Sequence, residues 1–408
     1  MKSEFDPKPF VEATQLIEDV DSLKAFFAEI SATDVVAVDI ESAGFYKYYS
    51  RVNLIQIATR KKCAIFDPQK IKDFSPFQKF CETSDCMWVF HGGDYDISML
   101  ARDLDVYIPQ MFDTRKAAEF LGLKELGLRA LTEKYLGFSL DKRLQRCDWS
   151  RRPLTSAMKE YGILDAICLI PIYDQMTKEL NRMNRLKWVK EECHYIAQDA
   201  RKPKEIQVDP FAFRIKGSTR LSLRSLAVLK EVWQLREKIS EKIDRAPFMV
   251  LSNNALLDIA RQMPRSISGL SVIKSVHREF LNRHASELQS AIKKGLDAPL
   301  EGLERPTKAR NRQTILTAWE GELAKSLREI RDDMANDMGL AASLLAPTQA
   351  IYELAKLRPS SVGDLLQCEI LHEWQVRLLA DNFIPLLQQE PPQESRKKRR
   401  RRRRRPGS

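Results

Sequence analysis

Cysteine is sparse and dispersed, with seven residues in 408, at positions 63, 81, 86, 147, 168, 193 and 368. No close pair is matched by a second pair at metal-ligand spacing, which argues against a zinc knuckle or a disulfide framework. No apolar run is long enough to span a bilayer, so no membrane insertion is expected. The opening MKSEFDPKPF also lacks the apolar segment of a signal peptide. A reducing, cytoplasmic setting is the resulting expectation. Glycine is scarce too, at 15 residues against 43% hydrophobic residues, which points to a globular, largely helical chain. No coiled-coil repeat or assembly element is evident, and a monomer is expected. At this length two or three domains are expected, since one core does not grow that large.

Outside one segment, the chain also lacks net charge. Ten positive charges in RKKRRRRRRR, residues 396–405, account for all but one of the +11. Such a block repels itself, so the tail over 390–408 is expected to be disordered. It would attract RNA, DNA or acidic lipid, or serve only as a solubilising extension.

Residues 1–205 mix two periodicities. Strands are expected over 35–41, 52–58, 62–66 and 87–91, the first three separated by short polar turns that favour antiparallel neighbours. Helices are expected near 95–103, 114–120, 124–136 and 156–180. Strands with helices packed on them make an α/β domain. ARKPKEIQVDP, residues 200–210, breaks the pattern, and from 222 onward the periodicity is helical. An offset of 95 aligns Leu256 with Ile351, Ile259 with Leu354, Ala260 with Ala355, Pro264 with Pro359 and Leu270 with Leu365. Upstream, LREKISEKID (235–244) matches LREIRDDMAN (327–336) at an offset of 92. Conserved order with a small length change indicates a duplication. Two small all-α modules are therefore expected, over 214–294 and 314–389, joined by EGLERPTKARNRQT (301–314). Trp233 and Trp374 are expected in their cores.

Carboxylates gather where strands should end. In VAVDIES, Asp39 and Glu41 share one face of a strand. Like charges that close repel unless a cation lies between them. The alternative is a strand end where both acids are solvated. VFHGGDYDISML runs from a strand through Gly-Gly into a helix, with Asp94 suited to the helix start and Asp96 able to face the first strand. His91 is either a satisfied turn histidine or the support of a neighbouring carboxylate. In TSAMKEYGILDAICLIPIY, Thr155 or Ser156 caps a helix on which Tyr161 and Asp165 lie one turn apart. If Asp39, Glu41, Asp96 and Asp165 converge, their oxygens suit magnesium or manganese rather than zinc. Two such ions can bridge a scissile phosphate, with Tyr161 orienting the attacking water. Lys142, Arg143, Arg146, Arg151 and Arg152 are candidate phosphate contacts. Trp149 either anchors its loop in the core or stacks on a base.

With DIE at 39–41, HGGDYD at 91–96, YGILD at 161–165 and the block LDKRLQRCDWSRRPLT at 140–155, the chain resembles the bacterial ribonuclease D family, DEDD 3′–5′ exonucleases of the tyrosine subtype. The helical repeats resemble HRDC domains. The resemblance implies an RNase H-like exonuclease fold with a mixed sheet and stepwise release of 5′-monophosphates from RNA 3′ ends. It also implies trimming of tRNA precursors and other small structured RNAs. Asp39, Glu41, Asp96 and Asp165 inherit metal-ligand roles, and Tyr161 the water-orienting role. Ile40 stands where the family often has threonine, and the arginine tail lies outside its pattern. Two other readings stay open: a DNA-directed 3′–5′ exonuclease, whose acids would look the same, and a non-catalytic nucleic-acid-binding adaptor.

Overall fold

The computed structural model describes residues 5–202, 209–301 and 316–390. The arginine block and nearly all of the 301–314 linker lie outside the described residues. The chain divides into two compact units, residues 1–118 with 125–310, and residues 119–124 with 311–408.

The first unit contains a six-stranded mixed sheet: β1 (Gln15–Ile17), β2 (Val35–Ser42), β3 (Val52–Ala58), β4 (Cys63–Phe66), β5 (Met87–Phe90) and β6 (Met111–Asp113). Their spatial order is β1-β4-β3-β2-β5-β6. β3 runs antiparallel to both β2 and β4, as the short turns require, while β1/β4, β2/β5 and β5/β6 are parallel. All seven residues of β3 are buried because both faces of the sheet are covered. Ladder partners project together, so Val38, Ile40, Ile55, Phe66 and Trp88 share one face. There Phe26, Phe27, Phe77 and Phe80, from the helices Val20–Glu29 and Ser75–Thr83, close an aromatic core around Phe66 and Trp88. Asp39, Glu41 and Gln56 project from the opposite face, on which the helix Ser156–Ile167 packs.

The sequence expectations shift at several boundaries. The stretch 156–180 is two helices, Ser156–Ile167 and Leu169–Arg182, broken where Pro171 withholds a backbone N–H. The one expected over 124–136 shortens to Leu128–Tyr135, because Gly127 is extended and serves as its N-cap. β1 and β6, three residues each, are too short to show a period, and the helices Val20–Glu29, Ser75–Thr83 and Leu186–Arg201 add to those expected.

Five helices make up each repeat. They begin at Leu223, Pro247, Asn253, Ile267 and Arg278 in the first copy, and at Ala318, Ala342, Thr348, Val362 and Glu373 in the second. Every pair is 95 apart, so the upstream offset of 92 is corrected. The register is fixed by a buried arginine in each copy. Arg236 donates to the Leu251 carbonyl at 3.3 Å, and Arg331 donates to the Ala346 carbonyl, its counterpart, at 2.8 Å. Trp374 is buried, and Trp233 packs against the first repeat's core.

Candidate active site

Each acidic side chain is set by a local feature of the element that carries it. The β2–β3 register shifts between Glu41 and Ser42, and Asn53 Oδ1 accepts the Ala43 N–H at 2.7 Å. This irregularity ends the ladder just beyond Glu41 and turns the chain out of the sheet. Asp96 lies in the first turn of the helix Asp94–Leu104. The Gly-Gly turn before that helix is obligatory: Gly92 has φ +67°, and a Cβ on Gly93 would sit 2.5 Å from Phe90. Thr155, not Ser156, caps the Ser156–Ile167 helix, its hydroxyl accepting the Met158 N–H at 3.2 Å. Tyr161 and Asp165 then project one turn apart.

Asp39, Glu41 and Asp165 come together, each offering a carboxylate oxygen within 4.8 Å of the others. Asp96 lies close enough for its charge to act on both Asp39 and Glu41. Burial, reinforced by Asp165, Glu41 and Asp96, raises the Asp39 carboxyl well above the usual range. Burial with Asp165 and Asp96 pushes Glu41 up to about 9. Asp165 rises to about 7 through burial, opposed by the charge of Lys142. Asp96 also rises to about 7, through burial and then the charges of Asp113 and Asp94. Burial and the neighbouring acids raise Tyr161 further above its ordinary value. A compact all-oxygen set of mutually repelling carboxylates fits a hard divalent cation, which would remove both the repulsion and the protons.

His91 supports the turn rather than an acid. Thr114 Oγ1 donates to the Phe90 carbonyl, so it accepts from His91 Nδ1 at 2.9 Å. Burial holds this imidazole down near 4, hence neutral. Asp113 was missed in the sequence. Its carboxylate accepts the N–H groups of Gly92 at 3.0 Å, Gly93 at 2.8 Å and Arg115 at 2.7 Å. It thereby fixes the turn that presents Asp96. Nothing in FDTRK marks it except an acid at a strand end, the same signal that marked Asp39.

A cleft of about 500 Å³ opens beside Tyr161 and Asp165, lined also by Leu140, Arg143, Leu144 and Glu160. Arg143 is largely exposed while pairing with Asp141 at 2.6 Å, and Lys142, Arg146 and Arg151 are exposed as well. Two candidate RNA contacts are withdrawn. Arg152 bonds Asp67 through Nε at 2.6 Å and Nη2 at 2.7 Å and donates to the Asn53 and Trp149 carbonyls. That guanidinium is committed to the fold. Trp149 is 1% exposed, with its ring centroid 5.9 Å from that of Tyr161. It cannot stack on a base and instead backs the tyrosine.

A family model described as a 3′–5′ exonuclease matches residues 14–181, and an HRDC domain model matches 225–292 and 320–387. Ribonuclease D of Sphingobium indicum is 30% identical over 382 residues, covering 91% of this chain and 94% of the relative. The chain belongs to the ribonuclease D family. It is a 3′–5′ exoribonuclease, and membership brings a dependence on divalent metal that the acid cluster fits. The crystal structure of Escherichia coli RNase D, described as an exoribonuclease involved in structured RNA processing, matches with a TM-score of 0.65 at 25% identity. That match covers 92% of this chain and 98% of the other. The Exosome complex component 10 homolog of Drosophila melanogaster is 28% identical over 291 residues, 70% of this chain. The chain spans only 32% of that longer relative. Among the described residues, no helix is long and apolar enough to cross a membrane.

Proposed function

We propose that the chain matures tRNA precursors and trims other small structured RNAs from their 3′ ends, releasing nucleoside 5′-monophosphates. In this reading Asp39, Glu41, Asp96 and Asp165 hold two divalent cations, magnesium or manganese. The observation that supports it best is the convergence of Asp39, Glu41 and Asp165 from two distant segments within 4.8 Å. When bound, the cations would activate a water and offset charge on the departing 3′ oxygen.

The chain's own groups do the rest. Tyr161, kept protonated by its surroundings, orients the attacking water rather than taking its proton. Trp149 holds the tyrosine ring from behind, and the Asp113-braced turn holds Asp96. Lys142, Arg143, Arg146 and Arg151 offer phosphate contacts that position the strand without reading bases. In this reading residues 1–205 carry the chemistry, and the modules at 214–294 and 314–389 guide folded RNA. A cytoplasmic monomer is the form proposed.

A time course on 3′-tailed tRNA precursor, with a 3′-blocked control and a matched DNA strand, tests this. Mononucleotide release from free RNA 3′ ends only, stopping near the mature terminus, is expected. Preference for DNA would overturn the substrate. RNA binding with no mononucleotide release across a metal series would leave an adaptor instead.

A further inference from the structure

β3 carries an uncharged polar side chain beneath the acid cluster. Gln56 is the ladder partner of Asp39 across β2 and β3, so the two side chains project to the same face with neighbouring Cβ atoms. It is 0% exposed, and neither its Oε1 nor its Nε2 has a hydrogen-bond partner among the described residues. Buried amides are nearly always bonded, so one left open needs a cause. A leucine or methionine would fill this position, in a strand whose other polar residue, Asn53, is bonded to Ala43, without that penalty.

The helix above makes room for the amide. Gly162 lies directly over it, and a Cβ there would fall 2.9 Å from Nε2 and 3.4 Å from Cγ. Gly162 and Asp165, three residues apart, share one face of that helix. The amide therefore lies between Asp39 on the strand and the helix face that carries Asp165. Both carry carboxyl oxygens that can accept its N–H groups.

We infer that Gln56 is a positioning residue of the metal site: with a cation held, its Nε2, unpartnered in the metal-free chain, would donate to the Asp39 carboxylate and hold that ligand's orientation, and Gly162 keeps the space that lets it do so. Outer hydrogen bonds of this kind set the orientation of a ligand without touching the metal. The inference rests on the reading of Asp39 as a metal ligand.

The test is Mn²⁺ binding by calorimetry on the full chain, beside urea unfolding of the metal-free protein, for the wild type, Gln56→Leu, Gly162→Ala and Asp39→Asn. Gln56→Leu is expected to keep metal-free stability at or above wild type while weakening Mn²⁺ binding about 10- to 100-fold. Cleavage should recover at high Mn²⁺. Gly162→Ala should weaken binding in the same direction, and should have no further effect on affinity in a Gln56→Ala background, where its Cβ meets no amide. If Gln56→Leu does not fold, Gln56→Met, closer in length, takes its place. Wild-type Mn²⁺ affinity in a folded Gln56 variant, with Asp39→Asn impaired, overturns the role of Gln56 and leaves the metal site standing. Wild-type affinity in Asp39→Asn overturns the metal assignment and Gln56 with it.

Discussion

The fold treats buried charge in two opposite ways. Asp67 is fully buried, and Arg152 meets it with two short bonds while donating to three carbonyls. Arg236 and Arg331 are likewise buried and committed, each to a carbonyl and an acid. On the sheet face beneath the Ser156–Ile167 helix, Asp39, Glu41, Asp96 and Asp165 crowd like charges, and among the described residues no ion pair joins any of them. Charge buried for structure is paired within the chain. The charge on which the proposed chemistry rests has no such partner among the described residues.

The largest effect is expected at the unpaired set. Asp39→Asn should retain the fold but lower mononucleotide release by more than the ~100-fold typical of losing an outer partner of a metal ligand. Near-normal turnover would erase the contrast. Next comes the paired set: Arg152→Leu strands a buried aspartate and should cost about 3–5 kcal/mol in urea unfolding. A cost under about 1 kcal/mol would mean the pair is ornamental.

The pH response separates the two regions further. The folded cluster's pKa values are raised, to about 7 for Asp96 and Asp165 and about 9 for Glu41. Between the ordinary carboxylate range and pH 9 the folded state therefore holds more protons than the unfolded one. The cluster's contribution to metal-free stability falls as pH rises through that window. Melting in chelator should show a drop of a few degrees from this source, at about 2–4 °C per kcal/mol, flattened by Asp165→Asn. A slope unchanged in that variant would contradict the electrostatics.

The smallest effect compares the two repeats. Arg236 bonds Asn253 Oδ1 at 2.7 Å, whereas the matching position in the second copy is Thr348. Arg236→Met should therefore destabilise its repeat more than Arg331→Met does, by about 0.5–1.5 kcal/mol in hydrogen exchange. Equal losses would show that this bond adds nothing.

Much of this was legible in the chain. The central strands declared themselves by apolar runs, Asp39 and Glu41 by a strand end, Asp96 by the turn after a strand, Asp165 by its spacing from Tyr161, and the duplication by its own spacing. The upstream offset misled because a slip of three residues is nearly one helical turn and preserves the same apolar face. The helix starts and the buried Arg236 and Arg331 distinguish the two registers. β1 and β6 are too short to show a period and exist through pairing with longer neighbours. Asp113 and Gln56 escaped because their meaning is tertiary. One braces a turn twenty residues upstream, and the other lies inside a largely apolar strand against a glycine over a hundred residues away. Arg152 looked like a phosphate ligand because a sequence of basic residues does not reveal which one finds a buried aspartate.

The central claim is that the carboxylates from β2 and the Ser156–Ile167 helix jointly hold the catalytic cations. Anomalous scattering from Mn²⁺-soaked crystals, grown from a preparation shown to degrade RNA, tests this most directly. The account predicts manganese peaks contacted by both Asp39 and Asp165. An active preparation with no peak between those two residues, or with manganese bound elsewhere, would contradict it.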